Sequence, residues 1–95
     1  MHEEEKQALC CRMAASLPLL RKAMGTTQAE FASAVGVTRG TIIKIERSKN
    51  MGWNMFLSLL MVISKNKEAK SLLPALDLYT AELDDFLSGG CRAEP

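Results

Sequence analysis

The sequence predicts an all-α domain: a bundle of about five helices, preceded by an extra N-terminal helix and followed by an amphipathic C-terminal helix. Three observations carry that expectation. Apolar residues make up 47% of the 95-residue chain and aromatic residues only 5%, with Leu, Met, Ala and Ile dominating, a mixture that suits helices better than a sheet. Apolar positions recur three and four residues apart, the period of one helix face. The prolines, Pro18, Pro74 and Pro95, punctuate the chain rather than fill any part of it. A chain of this length is expected to fold as one domain with a modest core, without a disulfide or metal staple.

The elements follow in order. Residues 3–15 read as a helix, because Glu3, Glu4 and Glu5 suit a positive helix N-terminus and Leu9 and Met13 stack one turn apart. Ser16 is placed to cap a separate helix with Pro18 in its first turn, where a missing N–H costs nothing. That helix runs to about Met24 on Leu17, Leu20 and Met24, and Gly25 ends it. Thr27 with Glu30 three residues later forms a capping box for a helix whose apolar face is Ala29, Phe31, Ala32 and Val35. Gly36 takes the turn, where a positive φ is expected. Thr38 caps the next helix, which ends near Glu46 or Arg47. After a polar loop at 48–52, a helix from about Trp53 to Ile63 buries Phe56, Leu59, Leu60 and Ile63. A further segment starts near Glu68 and is interrupted at Pro74. Leu76, Tyr79, Leu83, Phe86 and Leu87 mark an amphipathic C-terminal helix that Gly89-Gly90 stops, and residues 91–95 are expected to be disordered. The division is then 1–16 as N-terminal extension, 17–70 as central domain, 71–90 as C-terminal helix and 91–95 as tail.

The net charge of +1 conceals an asymmetry. Residues 21–70 hold nine basic and three acidic side chains, whereas residues 71–95 hold one basic and five acidic. A basic middle with negative charge kept elsewhere points to a polyanion-binding face. Cys10, Cys11 and Cys91 are an odd set with an adjacent pair, which is no disulfide framework, and the lone His2 completes no metal site with them. No metal or cofactor is expected. The longest apolar run, Met55 to Ile63, is too short to span a bilayer, and the acidic N-terminus is no secretory signal. A cytoplasmic protein with reduced thiols is expected. An enzyme is not, since nothing converges on the clustered carboxylates Glu82, Asp84 and Asp85 and no nucleophile–base pair or phosphate-binding glycine loop is present.

Residues 28–46 carry the most information. On a helix, Arg39, Gly40, Ile43, Lys44 and Arg47 share an arc of about 140°, while Ile42 and Ile45 lie one turn apart on another side. Burying those two against Phe31, Val35 and Val37 turns the basic arc outward. This is the layout of a helix-turn-helix, whose second helix enters the DNA major groove. Gln28 sits in the first turn of the first helix, where free N–H groups attract a phosphate and its amide can donate as well. Arg39 is placed to bridge O6 and N7 of guanine. Gly40 lets the helix approach closely. Thr38 is a cap that can also touch a thymine methyl. Ile43 fits either a thymine methyl or a dimer seam. Lys44, Arg47 and Lys49 are expected on phosphates, each adding salt-dependent affinity and little specificity.

These residues, with Leu19 to Gln28 before them, closely resemble the Cro/lambda-repressor-type (XRE-like) helix-turn-helix family over about residues 17–63. The marks are Arg21, Thr27-Gln28, Ala32, Gly36-Val37-Thr38, Thr41-Ile42, Ile45-Glu46-Arg47 and the apolar helix 56–63. The resemblance implies a lambda-repressor-like bundle, a partly buried ion pair between Arg21 and Glu46, a phosphate contact by Gln28, and a DNA-facing stretch from Thr38 to Lys44 that includes Thr41. Ser48 stands where the family usually has Gly, and Met51-Gly52-Trp53 where it usually has Pro, so the loop after the recognition helix is expected to differ in shape. The segment from Leu72 to Leu87 loosely resembles the tails of HipB-type antitoxins.

The expected function is sequence-specific binding of double-stranded DNA, at an inverted repeat, by a homodimeric transcriptional repressor. The stripe Leu76, Tyr79, Leu83, Phe86 and Leu87 and the stripe Leu9/Met13 are dimer candidates; packing onto the chain's own bundle accounts for them equally well. The alternative is an antitoxin-type protein that neutralises a partner toxin while repressing its own promoter. A third reading is a helix-turn-helix used only for protein contacts.

Overall fold

A computed structural model describes residues 1–92, and the surroundings of side chains as far as Ser88. Among the described residues the chain is all helical, with no strand: α1 (Glu3–Met24), α2 (Gln28–Val35), α3 (Arg39–Ser48), α4 (Trp53–Ser64), α5 (Lys67–Leu72) and α6 (Ala81–Arg92). None of these helices is long and apolar enough to cross a membrane.

α1 departs from the sequence expectation. Ser16 caps nothing, and a single 22-residue helix runs through Pro18. The reason is burial on both sides of the proline. Leu9, Cys10, Met13, Ala14, Leu17 and Leu20 form one continuous stripe, each at most 3% exposed, whereas Pro18 lies on the solvent side. A proline inside a helix costs about 3 kcal/mol. Breaking the helix would take several fully buried side chains out of register, at roughly 1.5–3 kcal/mol each. The division expected at residues 16 and 17 thus falls inside α1.

Three helical ends share one hydrogen-bond pattern. At the end of α1, Thr26 N–H donates to the Arg21 carbonyl and Gly25 N–H to that of Lys22. At the end of α2, Val37 donates to Ala32 and Gly36 to Ser33. After α5, Leu78 donates to Leu73 and Asp77 to Pro74. Each end turns on a left-handed residue: Gly25 at φ 70°, Gly36 at 89° and Asp77 at 57°. The residue that follows folds back toward the helix it leaves, a Schellman closure.

The third closure corrects the C-terminal expectation. Asp77 breaks the helical path, Leu78 enters the core at 0% exposure, and Thr80 caps α6 by accepting from Leu83 N–H at 3.2 Å. The C-terminal helix therefore begins at Ala81, and Leu76 and Tyr79 lie before it. Its other end differs too. Gly89-Gly90 does not stop the helix, which continues to Arg92. Of the tail expected at 91–95, residues 93–95 lie outside the described part.

The core is a single cluster. α1 packs on α3, α4 and α5, and α2 packs on α3 and α4. Phe31, Ile42, Phe56, Leu59 and Ile63 meet the α1 stripe, and Ala69, Leu73, Leu78 and Leu83 close its far end. Leu9 and Met13, weighed in the sequence as a dimer stripe, are consumed here at 1% and 0% exposure. The same holds for Leu83. At the N-terminal end, the Lys6 ammonium lies 5.5 Å from the centre of the Trp53 ring and 5.8 Å from that of Phe86. Trp53 in turn stacks on Phe56 at 4.9 Å. This cation–π group joins α1, α4 and α6.

Candidate nucleic-acid interface

α2, the turn and α3 set the geometry. Thr27 Oγ accepts from Glu30 N–H at 3.1 Å while the Glu30 carboxylate accepts from Thr27 N–H at 2.9 Å. That reciprocal cap fixes where α2 begins. Gly36 ends α2 with open space where a Cβ would be, so its requirement is the positive φ and not room. Val37 packs against the core as the returning residue. Thr38 Oγ then accepts from Thr41 N–H at 3.2 Å and opens α3. Three residues thus separate the two helices, and each has a distinct physical task.

Ile42 and Ile45, at 0% and 6% exposure, hold α3 down. Arg39, Gly40, Lys44 and Arg47 are exposed on its outer side, and Ile43 is half-buried beside them. Thr41 lies apart from that arc. Its hydroxyl is 3.0 Å from that of Thr38, and it lines a shallow groove with Lys44, Ile45, Ser48, Met51 and Met55. Lys49 follows the helix in a left-handed conformation at φ 56°, a geometry glycine adopts at lower cost. The loop beyond is tied by Asn50, whose side-chain oxygen accepts from Met51 N–H at 2.9 Å and from the Cys11 thiol of α1 at 3.7 Å. Burial, with Cys11 and Glu3 nearby, raises the pKa of the neighbouring Cys10 thiol.

Arg21 and Glu46 form a forked ion pair. Arg21 Nε donates to Glu46 Oε2 at 2.7 Å and Nη2 to Oε1 at 3.2 Å. The side chains are 17% and 10% exposed. The pair fastens the last turn of α3 to the last turn of α1. Gln28 joins it, because Gln28 Nε2 donates to Glu46 Oε1 at 3.0 Å. The Gln28 amide, which the sequence places on a phosphate, thus has a partner inside the chain. Nothing in the sequence marks this bond, which spans 18 residues. The Cys11–Asn50 contact is equally silent there.

The C-terminal residues divide. Leu83 is in the core, Leu76, Phe86 and Leu87 are half-buried, and Tyr79 is exposed. The Tyr79 hydroxyl donates to Asp84 at 3.0 Å, which keeps its proton and raises its pKa. They do not form one exposed stripe.

Gly40 gives a direct test of what the fold itself requires. A Cβ there would meet Thr38 Oγ at 3.8 Å, ordinary contact, and φ is not in the left-handed range. Gly40→Ala is expected to stabilise the chain by about 0.5–1 kcal/mol, the helix preference of Ala over Gly. A thermal melt checks it, and a lower Tm would mean that the helix start is strained in a way this geometry omits. The fold leaves this glycine free to be replaced.

Residues 19–51, or 33 of the 95, match the family model described as Helix-turn-helix. No curated protein and no solved structure matches the chain.

Proposed function

We propose, from the match of residues 19–51 to the family model described as Helix-turn-helix, that this chain is a homodimeric repressor that reads an inverted repeat in double-stranded DNA through α3. The observation that carries the reading is the outer face of α3. Arg39, Gly40, Lys44 and Arg47 are exposed there together, on a helix locked by two buried isoleucines, two caps and an ion pair. Such a surface is rigid, positive and low in bulk at its N-terminal end, which suits entry into a major groove.

In this reading Arg39 addresses a guanine, Gly40 lets the helix close on the bases, and Thr38 and Ile43 lie within reach of thymine methyls. Lys44, Arg47, Lys49 and Gln28 hold the backbone. A single short recognition helix gives modest affinity, and two copies on half-sites about 10 base pairs apart supply the rest. Tyr79, with the half-buried Leu76, Phe86 and Leu87, is the proposed seam, Leu83 being already used by its own core.

The test is selection from random-sequence duplexes, read by fluorescence anisotropy at two salt concentrations, with sedimentation of the selected complex. An inverted repeat carrying two chains per duplex is expected. Affinity should fall steeply with salt, by a slope of about 0.9 per phosphate contacted. Absence of binding at low salt would overturn the DNA reading. One chain per duplex would overturn the dimer alone.

A further inference from the structure

Glu46 lies in the last turn of α3 and is not itself among the residues that the proposed function places on DNA. Its carboxylate nevertheless serves three donors. Oε2 accepts from Arg21 Nε, and Oε1 accepts from both Arg21 Nη2 and Gln28 Nε2. Gln28 is the first residue of α2, at the helix end where backbone N–H groups lack intrahelical partners. The capping box engages the N–H groups of Thr27 and Glu30, and it leaves those of Gln28 and Ala29 for an incoming acceptor.

The bond to Glu46 decides which way the Gln28 amide points. A carboxylate only accepts, so the amide must turn its nitrogen, not its oxygen, toward Glu46. An amide nitrogen carries two hydrogens. One is used by Glu46, which holds the amide in a single orientation, and the other remains free to donate. A glutamine left to itself would sample many rotamers and either face of its amide, and ordering it on binding would cost affinity. Arg21 completes the device by neutralising Glu46, since an unpaired carboxylate beside a phosphate would repel it.

We infer that Glu46 is the positioning residue for Gln28: through one carboxylate the chain pre-orients a phosphate-binding amide on α2 and clamps the recognition helix α3 to α1, which sets the two DNA-contacting elements in a fixed mutual geometry. The inference rests on the DNA-binding reading above. It adds that a residue remote from DNA controls affinity uniformly across sequences, because a phosphate contact carries no base information.

The experiment is a double-mutant cycle on the full chain, with a random-sequence duplex of about 20 base pairs, long enough for two half-sites, as probe at low salt. Glu46→Gln keeps the size of the side chain but removes its charge, and whichever way its amide turns, its nitrogen faces a donor, either Arg21 Nε or the pair Arg21 Nη2 and Gln28 Nε2, so the three-donor arrangement is lost. It is expected to weaken binding about three- to tenfold in the parent chain, the range for releasing one long side chain. In a Gln28→Ala background it should change binding less than twofold, because the residue it positions is gone. Side-chain amide resonances supply a second readout. The two Gln28 Nε2 protons should be well separated in the parent and converge in Glu46→Gln. If Glu46→Gln does not fold, Glu46→Asp, which retains the Arg21 partner but is too short to serve both, takes its place with the same expectations. Equal losses in both backgrounds, or no loss in the parent, would overturn the positioning role while leaving DNA binding intact. If the parent chain fails to bind the duplex, the DNA reading falls and this inference with it.

Discussion

Replacing Arg39 and Lys44 by Ala should abolish recognition without disturbing the fold. Both side chains are exposed and neither contributes to the core, so the melting temperature should move little. Arg39→Ala alone should cost about 1–3 kcal/mol, on the order of five- to 150-fold in Kd, and should relax discrimination at one base pair of each half-site. Lys44→Ala should weaken binding by a similar factor on every sequence and reduce the salt slope by about one per chain. The two residues are expected to fail differently, one in specificity and one in salt dependence, and the difference separates base readout from phosphate anchoring. Unchanged affinity in both variants would move the chain to a helix-turn-helix used for protein contacts only.

The second large effect concerns the front of α1. Deleting residues 1–16 should leave a chain that no longer unfolds cooperatively. The deletion removes Leu9, Cys10, Met13 and Ala14, all at 3% exposure or less, from the same cluster that holds Ile42 and Phe56. It also removes the Lys6 contact with Trp53 and Phe86. The milder Met13→Ala should cost about 2–5 kcal/mol, because its position is fully buried and a cavity would remain. A domain of this kind has roughly 5–15 kcal/mol in total. Denaturant unfolding reads both variants. A truncated chain that unfolds at the parent midpoint would show that residues 17–92 hold a complete core, and the front half of α1 would be an accessory.

These two predictions differ in how far the sequence alone leads to them. The outer arc of α3 follows from 3.6-residue periodicity once Ile42 and Ile45 are taken as buried, and Thr27, Glu30, Gly36 and Thr38 announce their caps through their own chemistry. Short-range rules suffice there because each cap is made by residues three to five apart. The integrity of α1 was not readable in that way. Ser16 and Pro18 carry the local signature of a helix start, and local preference is a weak prior against four fully buried residues at 13, 14, 17 and 20. The C-terminal helix shows a related conflict. Thr80 with Glu82 and Asp84 after it is a proper start signal, but the apolar spacing from Leu76 to Leu87 suggested an earlier one.

The sequence by itself determined the helical class, the position of the helix-turn-helix, its caps and its turn, and the basic outer face of α3, because all of these arise from neighbours within one or two helical turns. The tertiary structure decided the rest. It carried α1 through a proline, sent Leu9, Met13 and Leu83 into the chain's own core rather than to a partner, and set Gln28 on Glu46 across 18 residues. Each of those outcomes depends on what packs against a residue from distant parts of the chain. Burial of a whole stripe outweighs a local preference of a few kcal/mol, and a hydrogen bond between two helices exists only after both have been docked.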